Sequence, residues 1–277
     1  MRKQKVAKSL NVIAGAALCI LAAALAGGFF MQKQTAVAVG SYAPKLIAHF
    51  STYYGESSPN RKYNVELASR KINGLKLYPE DEFSFNDCVG KRTEANGFKK
   101  AYIIQDGEFV EGTGGGVCQV SSTVYNCALL AGLSISQVRP HSLPVSYVAP
   151  SFDAMVSSGT DFRFVNTLSG PITLKVITDG KYIRAEIYGH DEITVRRRSE
   201  TISTIPHETE YREDDGLPIG KEVIDTYGKD GLTSEGYLDF FEDGKLVKSV
   251  LIRRDTYKPQ KRIILIGTNP DIKDDQT

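Results

Sequence analysis

The sequence has no tryptophan, three methionines and only four cysteines among 277 residues, and its formal net charge is +1. So few cysteines exclude a small domain held together by a network of disulfide bonds. The near-zero charge gives no electrostatic reason to expect nucleic-acid binding. What is present is ordinary for a folded protein, with 41% hydrophobic and 24% charged residues. This length and composition predict one or two packed domains.

Long apolar runs are missing except near the N-terminus. There, basic residues precede an apolar run over residues 10–31. A run of about 20 apolar residues can cross a bilayer, with its positive flank in the cytoplasm. Ala36-Val37-Ala38 resembles a signal-peptide cleavage site, but the run is longer than a usual signal core. We therefore predict a membrane anchor over residues 1–38 with the main body outside the cytoplasm; the alternative is a cleaved signal and a secreted protein.

Apolar periodicity in residues 45–195 predicts an α+β domain. Residues 64–74 have a helical pattern, with Asn64 as the N-cap and Gly74 after the last turn. A central helix is predicted over residues 117–131. Asp106-Gly107 and Asp179-Gly180 each stand between two short apolar runs and predict the turns of two hairpins. The expected architecture is one central helix packed on antiparallel hairpins.

The chain changes character at Arg196, Arg197 and Arg198, which we interpret as a solvated hinge. Contact of these arginines with anionic wall polymer or lipid headgroups is the alternative. Residues 199–267 contain short β-like runs separated by glycines and lack helical periodicity, so a small antiparallel all-β module is predicted. The polar residues 268–277 are expected to form a frayed tail.

One segment has the composition of a reactive site. Glycines directly precede the predicted central helix, and Cys118 lies in its first turn. Glycines let other groups approach the backbone, and a helix N-terminus offers free N–H groups and partial positive charge. Such surroundings lower the pKa of a thiol and stabilise an oxyanion. Ser121, Ser122 and Tyr125 follow at helical spacing on the same face, which predicts a polar, ligand-binding stripe beside Cys118.

Residues downstream could complete a catalytic group. His141 is the candidate base for a cysteine–histidine pair, and either Asp153 or Asp161 could orient its imidazole. This chain order is similar to that of transglutaminase-like and papain-like thiol enzymes, by analogy alone. A non-catalytic binding cleft and a purely structural role stay open. The histidines and cysteines lack zinc-ligand spacing, so neither a metal nor a cofactor is predicted.

Three of the four cysteines lie beyond the predicted anchor, so at least one thiol stays unpaired within a monomer. If Cys88 and Cys127 form a disulfide, Cys118 is the free thiol. The alternative for Cys127 is a buried free thiol, because its helical phase points to the core.

Eight short motifs follow one another between residues 45 and 190. They are Asn60-Arg61, Ile72-Asn73-Gly74, EFSFN at residues 82–86, VGKRT at 89–93, GGGVCQVS at 114–121, Tyr125-Asn126, HSLPVSY at 141–147 and Asp153-Ala154. Together they resemble the VanW domain, whose name comes from vancomycin-resistance gene clusters. The resemblance implies an envelope location, a connection with peptidoglycan, and a set of signature positions. These are Gly115, Gly116, Cys118, Gln119, His141 and Asp153.

The glycine and strand pattern of residues 199–267 resembles the G5 domain, an extracellular unit suspected of binding cell-wall glycan. The two resemblances imply a membrane-anchored envelope protein whose partner is peptidoglycan or another wall polymer, with a link to glycopeptide resistance. The leading hypothesis is a cleft near Cys118 that holds a peptidoglycan stem peptide. The second is a thiol hydrolase or transpeptidase, in which Cys118 attacks an amide, His141 transfers the proton and Asp153 orients His141. The third is a structural adaptor of envelope machinery.

Overall fold

The computed structural model describes residues 43–105, 108–191 and 193–272. The predicted anchor over residues 1–38, the Asp106-Gly107 turn and most of the predicted tail lie outside these ranges. Within them, no helix combines the length and apolarity that a membrane crossing requires.

Most of the secondary-structure elements are β-strands. In chain order they are β1 (Lys45–Tyr53), α1 (Pro59–Ile72), β2 (Leu75–Leu77), β3 (Glu82–Ser84), α2 (Phe85–Val89), a short 3-10 helix (Glu94–Asn96), β4 (Lys100–Gln105), β5 (Glu108–Thr113), α3 (Val117–Leu130), β6 (Ser134–Gln137), β7 (Arg163–Val165), β8 (Ile172–Thr178), β9 (Tyr182–Gly189), β10 (Thr194–Ile205), β11 (Thr209–Pro218), β12 (Glu222–Thr226), β13 (Gly231–Glu242), β14 (Lys245–Tyr257) and β15 (Arg262–Asn269).

The central helix α3 organises the N-terminal half of the fold. It begins and ends within a residue of the predicted range and is buried on nearly every side, against β1 and β9 among others. Those strands belong to a four-stranded antiparallel sheet of order β1-β9-β8-β2. The hairpin predicted around Asp179-Gly180 is confirmed as β8 and β9, because alternate apolar side chains on both strands are buried.

Helix α1 begins five residues earlier than predicted. Ser58 is its N-cap and accepts a hydrogen bond from the Arg61 N–H. Pro59 occupies the first turn, where the N–H that proline lacks would have no acceptor within the helix. The prediction of Asn64 as the N-cap is therefore wrong. Asn64 is buried inside the helix, and its side chain donates to the carbonyls of Lys99 and Gly115. It thereby ties α1 to the glycine segment before α3.

The C-terminal half contains two three-stranded sheets, of order β10-β13-β14 and β11-β15-β12. The first is antiparallel, as expected. In the second, β11 pairs with β15 in parallel, so the prediction of a wholly antiparallel module is wrong. A parallel pair needs a long crossover connection, and β12, β13 and β14 lie between these two strands in the chain.

The three consecutive arginines lie inside strand β10, which corrects the interpretation as a solvated hinge. The guanidinium of Arg197 lies over the rings of Phe50 and Phe152, at 4.1 and 4.9 Å, and donates to the side chain of Asn126. Arg198 pairs with Asp239 at 3.0 Å. Their aromatic and acidic partners lie far away in sequence, so the short run of charge alone could not reveal this packing.

Candidate active site

Cys118 is the second residue of α3, and two glycines allow its position. Gly116 is the N-cap and has a φ of 101°, which disfavours any side chain. A Cβ on Gly116 would lie 2.9 Å from Cγ of Arg61, and one on Gly115 would lie 2.5 Å from the carbonyl oxygen of Tyr102. Both positions therefore require glycine so that the start of α3 can fit between α1 and β4.

The Cys118 thiol is half-buried and is not in a disulfide. Its sulfur lies 3.4 Å from the Val156 carbonyl oxygen and accepts a hydrogen bond from the Val156 N–H at 3.5 Å. Cys88 and Cys127 are also free thiols, so of the two alternatives for Cys127 the buried free thiol is the one found. Burial raises the pKa of Cys127 far above that of Cys118.

His141 lowers the pKa of Cys118. Burial alone raises the pKa of Cys118, but a hydrogen bond with His141, the positive charge of His141 and the Val156 N–H bring it below its ordinary value. Burial alone lowers the pKa of His141, but hydrogen bonds with Asp153 and Cys118 raise it to about 9. The two shifts are those of a thiol and an imidazole that favour each other's charged forms.

Asp153 orients His141. Its Oδ2 lies 2.6 Å from Nδ1 of His141 and also accepts the backbone N–H of His141 at 2.6 Å. Nδ1 is thus occupied, which leaves Nε2 as the ring nitrogen available to another group. The pKa of Asp153 is lowered, because the hydrogen bond and charge of His141 outweigh its burial. The other candidate, Asp161, instead binds Ser84, the Asn86 N–H and Arg163.

Two residues of strand β14 complete the surroundings of Asp153. Tyr257 donates its hydroxyl to Asp153 Oδ1 at 2.6 Å. Arg253 donates to the same oxygen through Nη2 and to the Asp153 carbonyl through Nη1, both at 2.9 Å. Sequence reasoning missed both residues, and no local signal could have revealed them, because 104 and 100 positions separate them from Asp153.

Three of the predicted ligand-binding residues do not line the cleft in front of Cys118. Ser121 and Ser122 are fully buried, and both bind the Cys118 carbonyl and the backbone of Ala154. They fix the chain near Asp153 to α3. Tyr125 is buried against Phe162. Helical spacing correctly placed these side chains on the Cys118 side of the helix, but it could not show that another segment covers them.

Gln119 borders the cleft but is buried and has all its amide groups engaged. Its Oε1 accepts from Nη2 of Arg61 at 2.8 Å, and its Nε2 donates to Thr52 Oγ1 and the Tyr53 carbonyl at 3.1 and 2.8 Å. Its side chain therefore positions Arg61. Gly115 and Gly116 also line the cleft, next to Cys118 and His141.

The cleft has a volume of about 710 Å³. Hydrophobic side chains of the β4–β5 hairpin form one wall, among them the exposed Tyr102 and Phe109. Its lining within the described residues includes four cationic side chains and no carboxylate. The four are Arg61, Lys91, Arg92 and Lys229. Sequence reasoning did not single out the two arginines for chemistry, although both lie in motifs that carried the VanW resemblance.

Comparison with known families divides the chain into the same two domains as the sequence analysis. Residues 60–188 match the family described as "VanW like protein", and residues 196–269 match the G5 domain. This chain combines a VanW-like domain with a C-terminal G5 domain. The resemblance drawn from the sequence motifs is thereby confirmed. Cys118, His141 and Asp153 lie in the VanW-like domain, while Arg253 and Tyr257 belong to the G5 domain.

Two curated relatives share part of this VanW–G5 chain. The uncharacterized protein YoaR of Bacillus subtilis is 41% identical over 175 residues, which cover 59% of this chain and 58% of YoaR. The vancomycin B-type resistance protein VanW of Enterococcus faecalis is 27% identical over 135 residues, covering 47% of this chain and 49% of that protein. The chain thus spans about half the length of the curated relatives it matches.

Two solved G5 structures are also similar to parts of the chain. The G5 domain of an IgA1 protease is 27% identical, with coverage of 29% of this chain and 96% of that one and a TM-score of 0.20. HP0197-G5 is 31% identical, with coverage of 28% and 100% and a TM-score of 0.16.

Proposed function

We propose that this chain is an extracytoplasmic cell-envelope protein whose VanW domain is a thiol acyl-transfer enzyme acting on an amide bond of peptidoglycan or its precursors. The observation that carries this proposal is that Cys118 and His141 line the same open cleft, with Nδ1 of His141 2.6 Å from Oδ2 of Asp153. A nucleophile, a base and a group that orients the base are the parts that such chemistry requires.

The reaction follows from these groups. The Cys118 thiolate attacks the amide carbonyl carbon, and the His141 imidazolium gives its proton to the departing amine as the C–N bond breaks. The product is a thioester. Water or a second amine then attacks the thioester, His141 takes the proton of that nucleophile, and the sulfur leaves as a thiolate. The choice of acceptor decides between hydrolysis and transpeptidation.

The start of α3 supplies stabilisation for the oxyanion. The Val117 and Gln119 N–H groups bind the carbonyls of Gly114 and Gly116, whereas the Cys118 N–H has no acceptor among the described residues. A free donor directly at the nucleophile suits the negative oxygen of a tetrahedral intermediate. A cleft that only bound its ligand would need neither this donor nor a thiolate, which favours the enzyme over the binding hypothesis.

The envelope location belongs to the same proposal. G5 domains are associated with cell-wall polymer, and one relative is a vancomycin resistance protein by name. We include in the proposal an anchor over residues 1–38, wall affinity through the G5 domain, and a link to glycopeptide resistance. A wall enzyme held at the membrane would meet its substrate where precursors emerge.

Thiol reactivity tests the proposal first. At pH 7, iodoacetamide should modify Cys118 at least about tenfold faster than a model thiol, because a free cysteine is only a few per cent thiolate at that pH. Peptide mapping by mass spectrometry assigns the modified residue. Cys88 is the internal control, because burial raises its pKa. An ordinary rate at Cys118 would contradict a catalytic thiolate.

Product analysis then tests the reaction. Purified sacculi incubated with the protein should yield released peptides or new cross-links, seen by mass spectrometry. Cys118→Ser should abolish the products and Cys88→Ser should retain them. If the wild type makes no product and both variants still bind sacculi equally, the cleft is a binding site and the enzyme proposal fails.

A further inference from the structure

We propose that Arg92, supported by Arg61, binds a free carboxylate of the substrate close to the amide that Cys118 attacks, so that the cleft selects acidic peptides over their amidated forms. This inference rests on the proposed function for the reaction step but concerns the identity of the ligand.

Arg92 has a donor with no partner. Its Nη1 binds Asn86 Oδ1 at 2.6 Å and the Gly90 carbonyl at 3.3 Å, whereas Nη2 is buried and makes no hydrogen bond. Buried polar groups in folded proteins nearly always have a partner. Because Arg92 lines the cleft, a rotation of its guanidinium would turn Nη2 toward a ligand that supplies the missing acceptor.

Arg61 is bound only by neutral acceptors. Its Nη1 donates to Ser57 at 2.6 Å and its Nη2 to Gln119 at 2.8 Å. Among the described residues, no carboxylate forms a salt bridge with Arg61 or Arg92, although Arg163, Arg198 and Arg253 each have at least two. The charges of the two cleft arginines are therefore uncompensated by an ion pair.

Both arginines lie against the glycines that lead to the nucleophile. A Cβ on Gly114 would lie 2.9 Å from Cβ of Arg92, and a Cβ on Gly116 would lie 2.9 Å from Cγ of Arg61. Both arginines also interact electrostatically with Cys118. A group held by these guanidiniums is thus held beside the reacting sulfur.

The charge of the cleft fits an anionic ligand. The thiolate and imidazolium of the proposed function would neutralise each other, and four further cations line the cleft without a lining carboxylate among the described residues. Asp161 acts on Arg92 at longer range, but its oxygens are already bound to Ser84, Asn86 and Arg163. A guanidinium matches the planar geometry of a carboxylate, which makes a peptide carboxylate the fitting ligand.

Binding is measured with the full chain carrying Cys118→Ser, so that no turnover is required. The probes are a synthetic peptidoglycan stem peptide with free carboxylates and two amidated versions, one at the C-terminus and one at the internal carboxylate. Calorimetry should show a Kd at least about tenfold higher for one amidated version, which identifies the carboxylate that is bound. Equal affinity for all three peptides would overturn the proposal.

The role of Arg92 is tested in the same full chain carrying Cys118→Ser. Arg92→Gln should remove the difference between the acid and that amide, and Arg92→Lys should restore part of it. Arg70→Gln is the matched control, because Arg70 is an exposed arginine that does not line the cleft, and it should keep the preference. Thermal melting verifies that each variant is folded. If Arg92→Gln keeps the full preference, the assignment to Arg92 is wrong even if the protein proves to be an enzyme.

Discussion

At the scale of single residues, the chemistry of the cleft depends on whether Cys118 or His141 holds the proton that they share. Burial opposes charge on both Cys118 and His141, but His141 lowers the pKa of Cys118, and Asp153 and Cys118 raise the pKa of His141. The pair therefore responds as a unit to any change at Asp153. Sequence reasoning named these three residues from their types and order, but their hydrogen bonds decide whether the thiol is a nucleophile.

The pH dependence of the reaction follows from the pKa of His141. Below about pH 9 the imidazolium can give its proton to the leaving amine, so kcat/KM should fall as the pH rises through about 9. Asp153→Asn removes a negative charge that raises this pKa, so the falling limb should move to lower pH. A pH–rate profile of both proteins measures the shift. An unchanged limb in Asp153→Asn would contradict the role of Asp153 as the group that charges His141.

At the scale of elements, the position of the sulfur is set by how closely α3 approaches α1 and β4. The glycine run and the boundaries of α3 could be predicted, because left-handed glycine and apolar periodicity are local signals. The start of α1 was missed although Ser58 and Pro59 give a local signal for it. The burial of Ser121 and Ser122 could not be predicted, because the segment around Ala154 that covers them follows about 30 residues later.

Gly116→Ala tests whether the close packing of α3 against α1 sets the position of the sulfur. Alanine at a φ of 101° is strained, and its Cβ would meet Arg61 at 2.9 Å. Gly180→Ala is the control, because Gly180 also has a positive φ, of 84°, but faces open space. Backbone strain should cost each variant about 1–3 kcal/mol in the free energy of unfolding. In urea unfolding, Gly116→Ala should lose more than Gly180→Ala, and only Gly116→Ala should slow the reaction of Cys118 with iodoacetamide. Equal losses and equal rates would mean that contact with Arg61 does not constrain the start of α3.

At the scale of the whole molecule, the two domains share one hydrogen-bond network. Strand β14 of the G5 domain holds Asp153 through Arg253 and Tyr257, and Tyr257 also accepts the Ser151 N–H at 2.7 Å. Ser151 in turn contacts Ser234 of β13 at 2.7 Å. The sequence analysis separated the two domains and assigned them independent roles. Contacts between residues about 100 positions apart produce no periodic pattern in the sequence, so these contacts could not be predicted. The G5 domain therefore contributes to the orientation of His141 as well as to any affinity for the wall.

Tyr257→Phe isolates that contribution, because it deletes one buried hydroxyl and preserves the ring. Asp153 loses a donor and the Ser151 N–H loses an acceptor, so the free energy of unfolding should fall by about 2 kcal/mol. The freed carboxylate should hold His141 less well, which lowers kcat and slows the reaction of Cys118 with iodoacetamide. Tyr227→Phe, at an exposed tyrosine of the same domain, should change neither quantity. If Tyr257→Phe destabilises the protein but leaves Cys118 as reactive as in the wild type, the G5 domain supports the fold alone and has no part in the chemistry of the cleft.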